Sequence, residues 1–165
     1  MNHTKGIILV GGLATRLYPV GKVISKHLLP IYNKPMIYYP LSVLMLSGIR
    51  DILIITKPED LKSYQSLLGN GSTFGVKLSY LTQNKPDGLA QALLIGENFL
   101  GKSNCLFILG DNFFYGNKLF PIIERILGSK KSYIFSYFIN DPSDFGVVEF
   151  DKKKNIKKIH KKTKK

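Results

Sequence analysis

A single cysteine, Cys105, stands in 165 residues. An internal disulfide is therefore impossible, which suits a reducing compartment and places the chain in the cytoplasm as an expectation. Cys105 lies within an apolar run, so its expected role is that of a small buried hydrophobe. Long hydrophobic runs are also missing. The richest stretch, residues 36–49, is interrupted by Pro40, Ser42, Ser47 and Gly48, and nothing approaches the ~20 continuous apolar residues of a membrane helix. The first apolar run, residues 7–10, stops at a glycine pair, so the N-terminus lacks the layout of a signal peptide. Acids are scarce, 11 Asp and Glu against 24 Lys and Arg, for a net charge of +13. Most of that imbalance is local. Residues 152–165 hold nine Lys and no acid, a composition that reads as a solvated or disordered tail. A nucleic-acid surface ranks below that reading, because no aromatic residue follows Phe150 to stack on bases. No internal repeat or linker precedes Asp151. The expected organisation is one folded body over 1–151 and a Lys-rich tail over 152–165.

Within the body, short apolar runs alternate with helical patterns. Strands are expected over 6–10, 51–55, 76–81, 105–109 and 132–138. Helices are expected over 35–47, 58–68, 88–100 and 119–127. Four of these helices stop at or just before a glycine: Gly48, Gly69, Gly101 and Gly128. Pro58 sits where a first helical residue belongs, with Glu59 and Asp60 in the positive first turn. The βαβα order and the apolar strands predict a doubly wound α/β fold, a mostly parallel sheet with helices on both faces. Ligands in such folds bind beyond the carboxyl ends of the strands, so the chemistry is sought just after each strand.

After the first strand comes Gly11-Gly12-Leu13-Ala14-Thr15-Arg16. Glycines let the backbone bring its N–H groups close to an anion, Thr15 adds a hydroxyl, and Arg16 adds a planar fork suited to phosphate. Neither GxxxxGK[ST] nor GxGxxG is present. An ordinary tight turn explains the glycines nearly as well, and the nearby Arg16 tips the reading towards phosphate. In Ser25-Lys26-His27, Lys26 is a compact cation that can meet a phosphate or remain a plain surface residue. His27 has no second His or Cys at ligand spacing and reads as a polar contact rather than a metal ligand. Gly110-Asp111 follows the most apolar strand. Asp111 is either a turn starter or a carboxylate holding Mg²⁺ together with substrate phosphates. Residues 83–90, QNKPDGLA, carry turn chemistry leading into a helix N-terminus.

These residues make the chain resemble the glucose-1-phosphate thymidylyltransferases from residue 5 to about 162. The matching stretches are GIILVGG with TRLYP, SKHLLPIYNKPMIYYPLSVLMLSGIRDILII, PDGLAQA, LGDNFFYG and DPSDFGVVEFD. The resemblance implies a Rossmann-like fold and Mg²⁺-dependent transfer of a nucleotidyl group from dTTP to α-D-glucose 1-phosphate, releasing pyrophosphate and making a nucleotide sugar. It implies that Gly11, Gly12, Leu13, Ala14 and Thr15 cradle the triphosphate and that Arg16 holds the leaving pyrophosphate. Lys26 would stabilise charge around the phosphates, while His27 replaces a Gln that meets the nucleotide. Gln83 and Gly88 would meet the base, Asp111 would be one of two metal carboxylates, Gly146 would contact the sugar and Lys162 the sugar phosphate. Family members form homo-oligomers and need no membrane. The chain departs from the family pattern at Leu13 and Ala14, where the family has Ser and Gly, and at Lys161, where it has Glu. The family also continues past Lys165, and its second metal carboxylate lies there. The expectation is a C-terminally truncated relative that turns over poorly yet keeps affinity for nucleotide.

Overall fold

The computed structural model describes residues 4–12, 15–85, 88–116, 118–143, 145–153 and 155–160. Two compact units divide the chain, Met1–Ser129 and Lys130–Lys165. The first contains β1 (Thr4–Leu9), the two-residue strands β2 (Pro30–Ile31) and β3 (Lys34–Pro35), α1 (Tyr38–Leu46), β4 (Asp51–Thr56), α2 (Leu61–Leu68), β5 (Lys77–Thr82), α3 (Leu89–Ile95), α4 (Glu97–Leu100), β6 (Asn104–Leu109) and α5 (Leu119–Leu127).

Four of these strands form one sheet in the order β5-β4-β1-β6, every pair parallel. Ile7 lies between Leu53 on one side and Phe107 on the other. Because side chains alternate across a strand, consecutive residues feed two separate cores. Ile8, Val10, Ile52, Ile54 and Ile108 pack with Leu41 and Leu44 of α1, Tyr64 and Leu68 of α2 and Ile123 of α5. Ile7, Leu53 and Ile55 pack on the opposite face with Ala92 of α3 and the partly buried Phe99 and Leu100 of α4. Each such Leu or Ile contributes roughly 1.5–3 kcal/mol through burial. The sheet is thus covered on both sides, as its uninterrupted apolar strands imply.

Three of the four expected helices differ in outline. Helix 35–47 begins later, at Tyr38, because Pro35 is drawn into the antiparallel β2–β3 ladder opposite Pro30. Helix 58–68 is a 3-10 turn over Pro58–Asp60 leading into α2. Helix 88–100 is broken into α3 and α4 at Gly96, which lies flush on the sheet against Ile7 and Leu53. Cys105 is exposed rather than buried; it belongs to β6, an edge of the sheet. No helix among the described residues is long and apolar enough to cross a membrane.

The second unit contains an antiparallel hairpin of β7 (Val147–Phe150) and β8 (Ile156–His160). Its turn is organised by Asp151. The Asp151 Oδ1 accepts hydrogen bonds from the backbone N–H of Lys153 and of Asn155, both at 2.8 Å. Lys157 Nζ and His160 Nε2 meet the two oxygens of Glu149 at 2.6 and 2.9 Å. Residues 156–160 are therefore a strand, which corrects the expectation of an unstructured tail from 152 onward. The strand expected over 132–138 is absent. Its apolar and aromatic residues suggested one, but Tyr133, Ile134, Phe135, Tyr137 and Phe138 are all exposed, and no ladder claims them.

Candidate functional site

The order β5-β4-β1-β6 reverses direction at β1. Successive strands step outward through β4 and β5 on one side, then return to the other side of β1 as β6. In open parallel sheets the crevice beyond the carboxyl ends at such a reversal is where ligands are held. Two loops leave the sheet there, one after β1 carrying Gly11 and Gly12, the other after β6 carrying Gly110 and Asp111. The ladder runs right up to them. Val10 N donates to Ile55 O at 2.8 Å, and Gly110 N donates to Leu9 O at 2.9 Å.

Lys26 reaches this crevice from the short 3-10 turn Lys26–Leu28. Its ammonium hydrogen-bonds to and ion-pairs with Asp111 Oδ2. Burial pushes the Asp111 carboxyl upward, but the Lys26 ammonium outweighs it and holds the group below its ordinary range. Asp111 is therefore an ionised, half-exposed carboxylate. Gly12 faces the same lysine, since a Cβ there would lie 3.8 Å from Lys26 Cε. Gly11 is buried against Gln83, whose Oε1 would stand 3.2 Å from a Cβ on Gly11. Gln83 follows β5, is 4% exposed, and is fixed through its backbone N–H to Thr56 O at 2.8 Å. Its Nε2 donates to Gly88 O at 3.4 Å and to Gln91 Oε1. Gly88 itself adopts φ +102, a conformation glycine reaches without strain.

Of the residues singled out in the sequence, Gly11, Gly12, Lys26, Gln83, Gly88 and Asp111 therefore form one continuous lining. Arg16 is exposed in the 3-10 turn Thr15–Leu17 that follows the β1 loop; Thr15 opens the same turn. Leu13, Ala14 and Lys162 lie outside the described residues. Gly146 stands just before β7 in the second unit.

His27 occupies a different layer. It is 2% exposed and packs against Gly110, beside the buried Ser25 and Tyr64. Ser25 Oγ is 2.8 Å from the Tyr64 hydroxyl, and Nδ1 of His27 lies 3.4 Å from Ser25 Oγ and 3.5 Å from the Tyr64 hydroxyl. Burial, then the positive charge of Lys26, lowers His27 to about 4, against a smaller upward pull from Asp111. Burial also pushes the Tyr64 phenol upward. The ring is therefore neutral and the phenol protonated near pH 7. Sequence reasoning missed Tyr64, because it approaches from α2, 37 positions along the chain from His27. It missed Gln91 too, although that residue falls in the quoted PDGLAQA stretch.

Among the described residues, no group of three His, Cys, Asp or Glu side chains is arranged to hold a metal ion. A single ionised carboxylate beside the glycine-bearing loop after β1 nonetheless fits Mg²⁺, which is commonly held by one or two carboxylates plus substrate phosphates.

Comparison with known proteins bears on this arrangement. The nucleotidyl transferase family model matches residues 5–165. The glucose-1-phosphate thymidylyltransferase of Neisseria gonorrhoeae is 55% identical over 159 residues, covering 96% of this chain and 55% of that protein. The enzyme of the same name from Xanthomonas campestris pv. campestris is 56% identical over 153 residues, 92% of this chain and 52% of that protein. The chain thus spans about half the length of the curated relatives it matches. A Bacillus anthracis protein solved with sucrose, described as a glucose-1-phosphate thymidylyltransferase, superposes with a TM-score of 0.85 at 40% identity, covering 98% of this chain and 65% of that one. A UDP-glucose pyrophosphorylase solved with UDP-glucose shares the fold, with a TM-score of 0.74 at 24% identity.

Proposed function

Because the chain belongs to the nucleotidyl transferase family, we propose that its crevice holds the nucleotide of a glucose-1-phosphate thymidylyl transfer, with dTTP as donor and α-D-glucose 1-phosphate as acceptor. The observation that carries this reading is the meeting of Gly12, Lys26 and Asp111 at the sheet's reversal point. The reaction is in-line attack by a phosphate oxygen of the sugar phosphate on the α-phosphorus, which breaks the bond to the pyrophosphate leaving group. Catalysis of this kind rests on positioning and charge rather than on a covalent nucleophile. In the proposed assignment, Gly11, Gly12 and Thr15 present backbone N–H groups to the triphosphate, Arg16 meets the departing pyrophosphate, and Lys26 offsets charge at the transferred phosphoryl group. Gln83 and Gly88 face the base. Gly146 and Lys162 would serve the sugar phosphate. Asp111 would hold Mg²⁺ with the substrate phosphates, and the ion supplies charge neutralisation there. The cytoplasm is the proposed site of action.

The test is pyrophosphate release from dTTP and glucose 1-phosphate with Mg²⁺, run beside calorimetry with dTTP, UTP, ATP and GTP. Turnover supports the whole reading. Preferential dTTP or UTP binding without turnover supports the nucleotide half, the part whose residues lie together in the first unit. Equal affinity for all four nucleotides would remove base recognition from the assignment, and no binding at all would remove the assignment itself.

The Lys26–Asp111 pair gives a second, signed expectation. An arriving triphosphate without metal must pull Lys26 away from Asp111 and bring its own negative charge towards that carboxylate. Asp111→Asn removes both obstacles. Metal-free dTTP should then bind about three- to tenfold more tightly, the scale of one charge-assisted hydrogen bond in a partly solvated site. The gain in affinity that Mg²⁺ confers on the unaltered chain should largely disappear. Titrations with and without a chelator check both halves. A variant that still gains fully from Mg²⁺ would show that Asp111 is not the metal carboxylate.

A further inference from the structure

Gln83 is the residue expected to read the base, and an isolated glutamine amide offers two N–H donors and one carbonyl acceptor. Here the two ends of that amide are not equally available. Nε2 lies between two acceptors, the backbone oxygen of Gly88 at 3.4 Å and the side-chain oxygen Oε1 of Gln91. Oε1 points to the other side, towards Gly11, where a Cβ would meet it at 3.2 Å. Two facing glutamines can satisfy one another with either amide turned over, so their mutual contact alone fixes nothing. The Gly88 carbonyl breaks that symmetry, because a backbone oxygen is only an acceptor and requires nitrogen opposite it. Gln91 then completes the arrangement. It stands on α3, half-buried, and takes the other donor of an amide that is itself 4% exposed and anchored through its backbone to Thr56.

We infer that Gln91 is a specificity-determining residue, which holds the Gln83 amide so that a carbonyl oxygen, and no N–H donor, faces the bound base. This rests on the reading that Gln83 meets the base. The ligand that suits a lone acceptor is an imide, whose ring nitrogen carries a hydrogen, as in thymine and uracil. Cytosine has the same ring size but presents a bare ring nitrogen at that position. It would set lone pair against lone pair in a site with little water to relieve them, the circumstance in which a missing hydrogen bond costs most selectivity. Gln91 touches the base in none of this. It acts through the orientation of its neighbour.

The measurement is the ratio of dissociation constants for dCTP and dTTP, by calorimetry on the 165-residue chain with Mg²⁺. The unaltered chain should prefer dTTP by about tenfold or more. Gln91→Glu keeps an acceptor opposite Nε2 and should keep the preference. Among the described residues, Gln91→Leu leaves Nε2 only the long contact to Gly88; it lets the amide turn and should shrink the ratio to about threefold or less, chiefly by tighter dCTP binding. Gln91→Lys presents a donor, draws the Gln83 oxygen towards itself, and should tip the preference towards dCTP. This variant carries the test should Gln91→Leu fail to fold by circular dichroism. Gln83→Leu separates the two levels of the claim. If it abolishes the preference while folded Gln91→Leu and Gln91→Lys retain it, Gln83 reads the base and Gln91 does not orient it. If Gln83→Leu leaves the preference intact, or if the unaltered chain shows none, base reading by Gln83 fails and the inference falls with it.

Discussion

Gly110→Ala should cost this fold about 3 kcal/mol or more, a large part of the 5–15 kcal/mol that holds a typical domain together. A Cβ at position 110 would overlap Val10 Cγ1 and stand 2.6 Å from His27 Cδ2 and 3.1 Å from His27 Nε2. Val10 is fully buried and His27 is 2% exposed, so neither can swing into solvent. Overpacking of a filled core commonly costs about 1–3 kcal/mol, and here one methyl group meets two side chains at once. The loop also has little freedom to lift away, because Gly110 N is held by Leu9 O at 2.9 Å. A backbone shift at Gly110 also displaces its neighbour Asp111, the proposed metal carboxylate, so dTTP affinity in the presence of Mg²⁺ should fall together with stability. Urea unfolding gives the first quantity and calorimetry the second. Val10→Ala in the same chain shortens the nearest obstacle. The double variant should therefore be more stable than the sum of the two single losses allows, by about 1 kcal/mol. A loss under ~0.5 kcal/mol in the single variant would mean that the close packing of Gly110 on His27 is not real.

Why this glycine matters is not visible in the sequence, where Gly110 is just the residue between a strand and an acid. Other parts of the molecule are legible. The runs at 51–55 and 105–109 read as covered strands because a parallel sheet buried on both faces needs apolar residues at every position, and β4 and β6 extend those runs by one residue at one end or the other. Helix 119–127 has its expected bounds, since Gly128 ends it and nothing tertiary interrupts it. The failures have tertiary causes. Gly96 looks like a tolerated helix interior until the sheet residues Ile7 and Leu53 come up against it. Residues 132–138 have strand composition, but among the described residues they join no ladder. Strand β8 was hidden for the opposite reason. All five of its residues are exposed, so it shows no apolar alternation, and the only local signal was the turn chemistry of Asp151 and Asn155.

The site divides along the same line. Gly11, Gly12 and Asp111 were found because they follow strands whose carboxyl ends converge, Lys26 because it is a cation in a stretch that resembles the family, and the fold places them together at the reversal between β1 and β6. The residues that hold them were not found. Tyr64 looks like one aromatic position of an amphipathic helix, and its hydroxyl gains meaning only when Ser25 and His27 arrive beside it. Gln91 looks like a polar residue near a helix start. Supporting residues of this kind are chosen by three-dimensional neighbours, and a single sequence holds no record of those.

His27 supplies the other large effect, and its sign can be worked out. The ring is held neutral, with a folded value of about 4 against an ordinary value of 6.5, chiefly because burial disfavours the charged form and secondly because Lys26 repels it. Between those two values the unfolded chain binds a proton that the folded chain does not. Acidification therefore favours the unfolded state, and this contribution to stability is lost progressively as pH falls from about 6.5 towards 4. It is constant above that window. For a single group so placed, the loss between pH 7.5 and 4.5 is on the order of 2–3 kcal/mol. Carboxylates held below their ordinary range, such as Asp111 and Glu149, add acid sensitivity of the same sign, and the total slope would not identify the histidine. A comparison does. His27→Gln keeps a polar side chain of similar reach in the layer shared with Ser25 and Tyr64, but does not titrate. Urea unfolding of both chains at closely spaced pH values should give curves that run parallel above pH 7. Below that they should converge, or cross, as the unaltered chain loses this additional ~2–3 kcal/mol. Curves that stay parallel down to pH 4.5 would mean that the ring takes up its proton as readily in the folded protein as in the unfolded chain, which is incompatible with its burial under Gly110.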